Sequence, residues 1–292
     1  MTQQDEFGGA WTQQKLRVLR KYLQAYTTIF KANKSARFYT ITYVDAFAGT
    51  GAIRRPMLGG IAQLMPGVAE AEEEFQKGSA KRALEIDPAF DKYVFIEKSA
   101  AKCHELRVLA EDFADRYIEI VNEDANSALL KWCKRFDSNR ERAVVFLDPF
   151  GASVEWNVIR ALGKTRAVDL WILFPYSAIN RMLMKKQRPH GAWANRLTKV
   201  LGTTDWQQAF YSDRSFQLSL NPAQQLEEFY KSADDRKIID FVASRLKQEF
   251  AAVGKPRPLY NSRGSLLFVL FFAAGNERSA KTGIKIANSL KI

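Results

Sequence analysis

Between residues 39 and 176, short apolar runs alternate with amphipathic stretches of helical period. The runs Tyr39–Phe47, Tyr93–Glu97, Tyr117–Val121, Ala143–Leu147 and Val168–Phe174 have the length and the β-branched and aromatic content of buried strands. The spacing between them predicts helices from an N-cap at Gly78-Ser79 through Leu84, then over Ser99–Ala114, Asn126–Phe136 and Val154–Leu162. Strict alternation of this kind implies right-handed crossovers and a mostly parallel sheet. Ahead of it, Leu16, Leu19, Leu23, Tyr26 and Phe30 recur at helical spacing, so Thr12–Ala32 reads as an amphipathic helix. Lys15, Arg17, Arg20 and Lys21 are expected on its remaining faces.

Two stretches break the rhythm. Ala52–Lys77 is long for a connection inside a compact unit, which marks it as a lid or an excursion. Ser177–Val253 is helical in pattern and rich in Arg, Lys and Gln. The strand pattern resumes at Arg257–Asn261 and Leu266–Phe272, and the short turn between them forces an antiparallel hairpin. The expected organisation is an N-terminal helix over residues 1–38, a core made of 39–176 and 254–292, and a helical insertion or substrate-recognition subdomain at 177–253.

Composition narrows the partners more than the fold. The 292 residues are 47% hydrophobic, enough for a sizeable core, and carry a net charge of +12. That excess favours a polyanionic partner. Two cysteines, Cys103 and Cys133, and two histidines, His104 and His190, are too scattered for a zinc site or a disulfide framework, so no metal is expected. The polar start of the chain lacks a signal peptide's apolar region, and its longest apolar run, Leu266–Ala274, is too short to span a bilayer. A cytoplasmic chain without membrane association is expected.

The chemistry concentrates where strands end. The first strand runs through Asp45 and Phe47 into Gly49, Thr50 and Gly51, and glycines there let the backbone lie against a nucleotide-like ligand. Asp45 would accept hydrogen bonds from a cationic or hydroxylated group over that turn. Glu97 closes the second strand, where an acid binds ribose hydroxyls in nucleotide-binding α/β folds. Asp124 follows the third strand as an acceptor for an adenine amino group, as a helix cap, or as both. The fourth ends in Asp148, Pro149, Phe150 and Gly151. Proline fixes that backbone, Asp148 accepts from a bound amine, and Phe150 offers a face for a planar base, a set suited to an exocyclic amino nucleophile. At the fifth, Phe174 reads as core, while Tyr176 is either core or crevice wall. Arg181, Lys185, Lys186, Arg188, Arg196 and Lys199, with His190 and Trp193 among them, read either as a solvated helix face or as a phosphate-tracking surface.

Taken together, Asp-x-Phe-x-Gly-x-Gly at strand one, Glu97, Asp124 and Asp-Pro-Phe-Gly at strand four resemble the class I S-adenosylmethionine-dependent methyltransferases. The resemblance implies a Rossmann-like α/β fold, with a seven-stranded, mostly parallel sheet and a terminal antiparallel strand. More narrowly, the chain is similar to the bacterial three-Cys-motif partner proteins. They share the helix motif carried here by Lys15, Leu16, Leu19, Tyr22 and Leu23, together with the Asp-x-Phe-Ala-Gly, Phe-Ile-Glu and Phe-Leu-Asp-Pro-Phe-Gly segments. The resemblance implies S-adenosylmethionine as cofactor. Asp45, Phe47, Gly49, Thr50 and Gly51 would surround its methionine part, Glu97 its ribose, and Asp124 with Ala125 its adenine. Asp148, Pro149, Phe150 and Gly151 would face the acceptor, and a cysteine-motif protein is implied as an associate. Adenine methyltransferases carry Asp-Pro-Pro-Tyr at this place, while Asp-Pro-Phe-Gly is closer to the tRNA guanine-N2 enzymes, so the base stays open.

The expected function is methyl transfer to an exocyclic amino group of a base in DNA or RNA. The alternatives are a methyltransferase of a small molecule or protein, and a non-catalytic nucleic-acid-binding subunit on the same scaffold.

Overall fold

The computed structural model describes residues 10–48, 78–149, 151–214 and 228–290. Helix α1 (Ala10–Ala32) leads into β1 (Thr40–Asp45), and α2 (residues 78–84) precedes β2 (Lys92–Ile96). Then come α3 (Ala100–Glu111), β3 (Ile118–Val121), α4 (Ala125–Arg135), β4 (Glu141–Leu147), α5 (Trp156–Lys164) and β5 (Val168–Phe174). Ser99 caps α3 and Asp124 caps α4, each accepting backbone N–H groups of the first turn.

Residues 177–253 hold more than helices. After α6 (Tyr176–Met182), α7 (Gly191–Leu201) and α8 (Trp206–Phe210), a two-stranded antiparallel ribbon pairs β6 (Tyr211–Arg214) with β7 (Glu228–Lys231). Helix α9 (Asp235–Glu249) and the short β8 (Ala252–Val253) follow. The chain ends with the expected hairpin, β9 (Arg257–Tyr260) and β10 (Leu266–Ala274), and with α10 (Ala280–Ser289), a helix that the apolar pattern alone does not single out.

The main sheet has the order β3-β2-β1-β4-β5-β10, with β8 and β9 sharing the far edge of β10. Strands β1 to β5 run parallel, and β10 enters antiparallel beside β5. Each strand sends alternate side chains into two cores. Val144, Phe146, Trp171 and Phe272 meet α1, α2 and α10 on one face, while Val145, Leu147, Ile172 and Phe271 meet α4, α5, α7 and α9 on the other. Such three-layer burial explains why these strands are nearly continuous apolar runs.

Helix α7 ends at Gly202, whose φ of 71° lies in the left-handed region and whose Cβ position falls 2.2 Å from Cγ of Trp156. Gly202→Ala should therefore cost about 3–5 kcal/mol, combining overpacking and backbone strain. A urea melt of the variant checks this; a loss below about 1 kcal/mol would mean that α5 and α7 are not packed as described.

Among the described residues no helix is long and apolar enough to cross a membrane. Both cysteines are free thiols, Cys103 buried and Cys133 half-buried.

Candidate active site

The strand order brings the sequence-selected acids to one edge. Asp45, Glu97 and Asp148 end or follow β1, β2 and β4, and Asp124 stands just past β3. Asp45 is in register with Phe95 on one side and Phe146 on the other, so Asp148 lies two residues beyond Asp45's own neighbour. By the two-residue period of strands, Asp45 follows Tyr43 and Asp148 follows Phe146 onto the face that α1 and α2 cover.

Asp45 is fully buried. Its carboxylate accepts from the Ser79 hydroxyl at 2.9 Å, the Phe47 backbone N–H at 3.2 Å and the Tyr43 hydroxyl at 3.5 Å. Burial pushes its pKa up to about 7 against those bonds, and the neighbouring Asp148 pushes the same way. Ser79 was expected to cap a helix; instead it sits within α2 and its hydroxyl serves Asp45.

Asp148 is 2% exposed, and its Oδ2 lies 3.5 Å from the Nζ of Lys15 on α1. Burial raises its pKa, and the ammonium opposes that rise. Lys15 is itself only 1% exposed, with Nζ 5.7 Å from the centre of the Phe268 ring. The expectation that Lys15 lies on a polar face is thus corrected. The signal was in the spacing, because Lys15 stands four residues before Leu19 and seven before Tyr22, in line with the buried stripe.

Glu97 is 9% exposed, and one of its oxygens accepts from the Ser99 N–H at 2.7 Å. Among the described residues its other oxygen has no hydrogen-bond partner. Asn122, which sequence reasoning passed over, donates to the carbonyls of Glu97 (3.0 Å) and Lys98 (2.9 Å), tying the ends of β2 and β3 together. Asp124 is exposed and spends one oxygen on the N–H groups of Asn126 and Ser127. Ala125, the first residue of α4, is buried. Asn126 donates to the Ser153 carbonyl and accepts from the Glu155 N–H, linking α4 to the loop after β4.

That loop turns at Gly151, whose φ of 61° favours glycine. Pro149 and Gly151 line a narrow, mostly apolar crevice with Phe174, Pro175, Val200 and Val242. Trp156, Ile159 and Leu246 place the crevice on the face that α5, α7 and α9 cover, and Asp148 does not line it. Phe174 is core, and Tyr176 is buried with its hydroxyl donating to Asp235 of α9. Gly49, Thr50, Gly51 and Phe150, like the candidate lid Ala52–Lys77, lie outside the described residues.

A parallel β3-β2-β1-β4-β5 sheet with β10 reversed beside β5 defines the chain as a Rossmann-like α/β protein of the methyltransferase fold. A protein of Legionella pneumophila strain Philadelphia 1 shares this fold at a TM-score of 0.50 and 11% identity, over 96% of this chain and 91% of that one. The spermidine synthase of Thermotoga maritima aligns at 0.43 and 11% over 98% of this chain and 64% of its own. An S-adenosylmethionine-dependent methyltransferase from Clostridium acetobutylicum aligns at 0.37 and 6%, over 88% and 92%. No family model and no curated protein matches the chain in sequence.

Proposed function

We propose that the chain is an S-adenosylmethionine-dependent methyltransferase acting on an exocyclic amino nitrogen of a nucleic-acid base. The observation that carries this reading is the line of acids at the carboxyl edge of four neighbouring strands, Asp124, Glu97, Asp45 and Asp148 in the spatial order β3-β2-β1-β4. The donor chemistry fits the cofactor, which offers an ammonium, a ribose diol and an adenine amino group to acceptors. Glu97 keeps an unpartnered oxygen suited to a ribose hydroxyl, and Asp124 keeps an oxygen beyond its capping bonds. Asp45 would hold the methionine end. When bound, the cofactor supplies an electrophilic methyl group carried on a sulfonium. Asp148 would orient the acceptor amine and take up developing positive charge, while Pro149 fixes the backbone that carries it.

Charge supports a nucleic-acid acceptor. From Tyr176 to Thr204 the chain carries Arg and Lys but no acid. The Arg188 guanidinium lies 3.7 Å from the centre of the Phe229 ring, and Trp193 is exposed. The narrower resemblance adds a cysteine-motif protein as an associate and rests on the quoted motifs.

The test is labelled methyl transfer onto RNA, DNA and protein pools. Label is expected in a nucleic-acid pool, with affinity falling by at least about tenfold between 50 and 200 mM salt. Label confined to protein or small molecules would overturn the acceptor assignment. One observation favours a second reading, the non-catalytic subunit: Asp148 is buried and already engaged by Lys15. That reading requires nucleic-acid binding without turnover.

A further inference from the structure

We propose that Lys15 is a positioning residue for the reaction, its ammonium fixing the Asp148 carboxylate at the end of β4. The argument begins with cost. A lysine on the buried stripe of a helix is expensive unless an anion meets it, and the anion here comes from a strand end far away in sequence.

Helix α1 is anchored twice. Tyr22, two turns after Lys15, donates to Asp169 at 2.8 Å, and Asp169 stands at the amino end of β5. Asp169 pairs with Val144, four residues before Asp148 on β4. The helical rise from Lys15 to Tyr22 is about 10 Å and the strand rise from Val144 to Asp148 about 13 Å, so α1 runs antiparallel to β4 with its anchors in step. One anchor sits at the edge away from the chemistry and the other delivers a charge to it.

The groups facing Asp148 are Lys15 from α1 and Asp45 and Tyr43 from β1. The Phe268 ring of β10 lies beside Lys15, and Ser79 of α2 beside Asp45. Without the ammonium, two neighbouring buried carboxylates repel, and the Asp148 carboxyl is pushed further toward its protonated form. A protonated Asp148 donates through its O–H and no longer offers a carboxylate to an incoming amine.

Thermal melts of the full chain across about pH 5 to 8.5 test this in the wild type, Lys15→Met, Lys15→Arg and Lys15→Met/Asp148→Asn. Lys15→Met should fall least behind the wild type near pH 5, the end of the range where Asp148 is nearest to neutral and leaves the smallest uncompensated charge. By pH 8 its deficit should have widened by at least about 5 °C, and the double variant should lose that pH-dependent part. Lys15→Arg, which keeps the charge, should show no such widening. A deficit independent of pH, or one that persists in the double variant, would assign Lys15 to packing alone and overturn the proposal. If Lys15→Met does not fold at neutral pH, recovery at pH 5 or in the double variant supports the proposal, and failure of both contradicts it. The functional meaning rests on the methyl-transfer reading, but the melts contain no cofactor. Failure here indicts Lys15, whereas absent cofactor binding by the wild type indicts that reading.

Discussion

Asp148→Ala is expected to abolish methyl transfer and to destabilise the fold by about 3–5 kcal/mol in one step. The strand-end position alone predicts only the first effect, with cofactor affinity nearly intact. Burial adds the second, since the substitution takes a carboxylate from beside a buried ammonium and leaves a cavity. Asp148→Asn separates the two. It keeps the shape and one acceptor oxygen, loses the charge, and should cost about half as much stability while transfer still falls by at least tenfold. Urea melts and labelled methyl transfer on both variants check this. Full transfer by a folded Asp148→Asn chain would remove Asp148 from the reaction.

Asp45→Asn should move stability and cofactor binding in opposite directions. The folded pKa of Asp45 is about 7, above its ordinary value near 3.8, because burial disfavours the charge. Its favourable contribution is therefore complete below about pH 4 and is lost as pH rises through about 7. A displacement of that size corresponds to roughly 4 kcal/mol of pH-dependent stability. Asparagine does not titrate, so the variant's profile should be flatter. At pH 8 it should exceed the wild type by about 1–3 kcal/mol after the loss of an acceptor for Ser79 or Phe47. Its affinity for S-adenosylmethionine should fall at least tenfold, because a carboxylate for the methionine end is gone. Urea melts at two pH values and calorimetry on the same samples check both halves. A variant whose stability follows pH as the wild type does would mean that Asp45 is not the titrating group.

Much of the parallel sheet is legible in the sequence because each strand buries both faces and so reads as a short apolar run. Val168–Phe174 is placed to the residue, and β1, β2 and β4 shift by one to two residues at their ends. The ribbon β6–β7 is hidden because its strands are short and far apart in sequence, and pairing between such segments leaves no periodic mark. Helix α10 is hidden by Gly283, which packs against the Phe272 ring and weakens the helical pattern while serving the fold.

The site is legible by type more than by environment. Asp45, Glu97, Asp124 and Asp148 stand out because acids follow apolar strands, and the sheet order brings them to one edge. Their supporting partners do not stand out. Ser79 looks like a cap, Lys15 like a solvated lysine and Asn122 like a turn residue, since a hydrogen bond between distant elements has no signature in local composition. The capping role of Asp124 is the exception, because capping is a local interaction and is visible in Asp124-Ala125-Asn126 itself.

The most direct test is calorimetric titration of the full chain with S-adenosylmethionine and S-adenosylhomocysteine, with Glu97→Ala as the comparison. Saturable binding of both by the wild type is predicted, weakened at least about tenfold in Glu97→Ala through loss of the ribose acceptor. No binding of either ligand at millimolar concentration, or equal binding by the variant, would contradict a nucleotide site at this sheet edge.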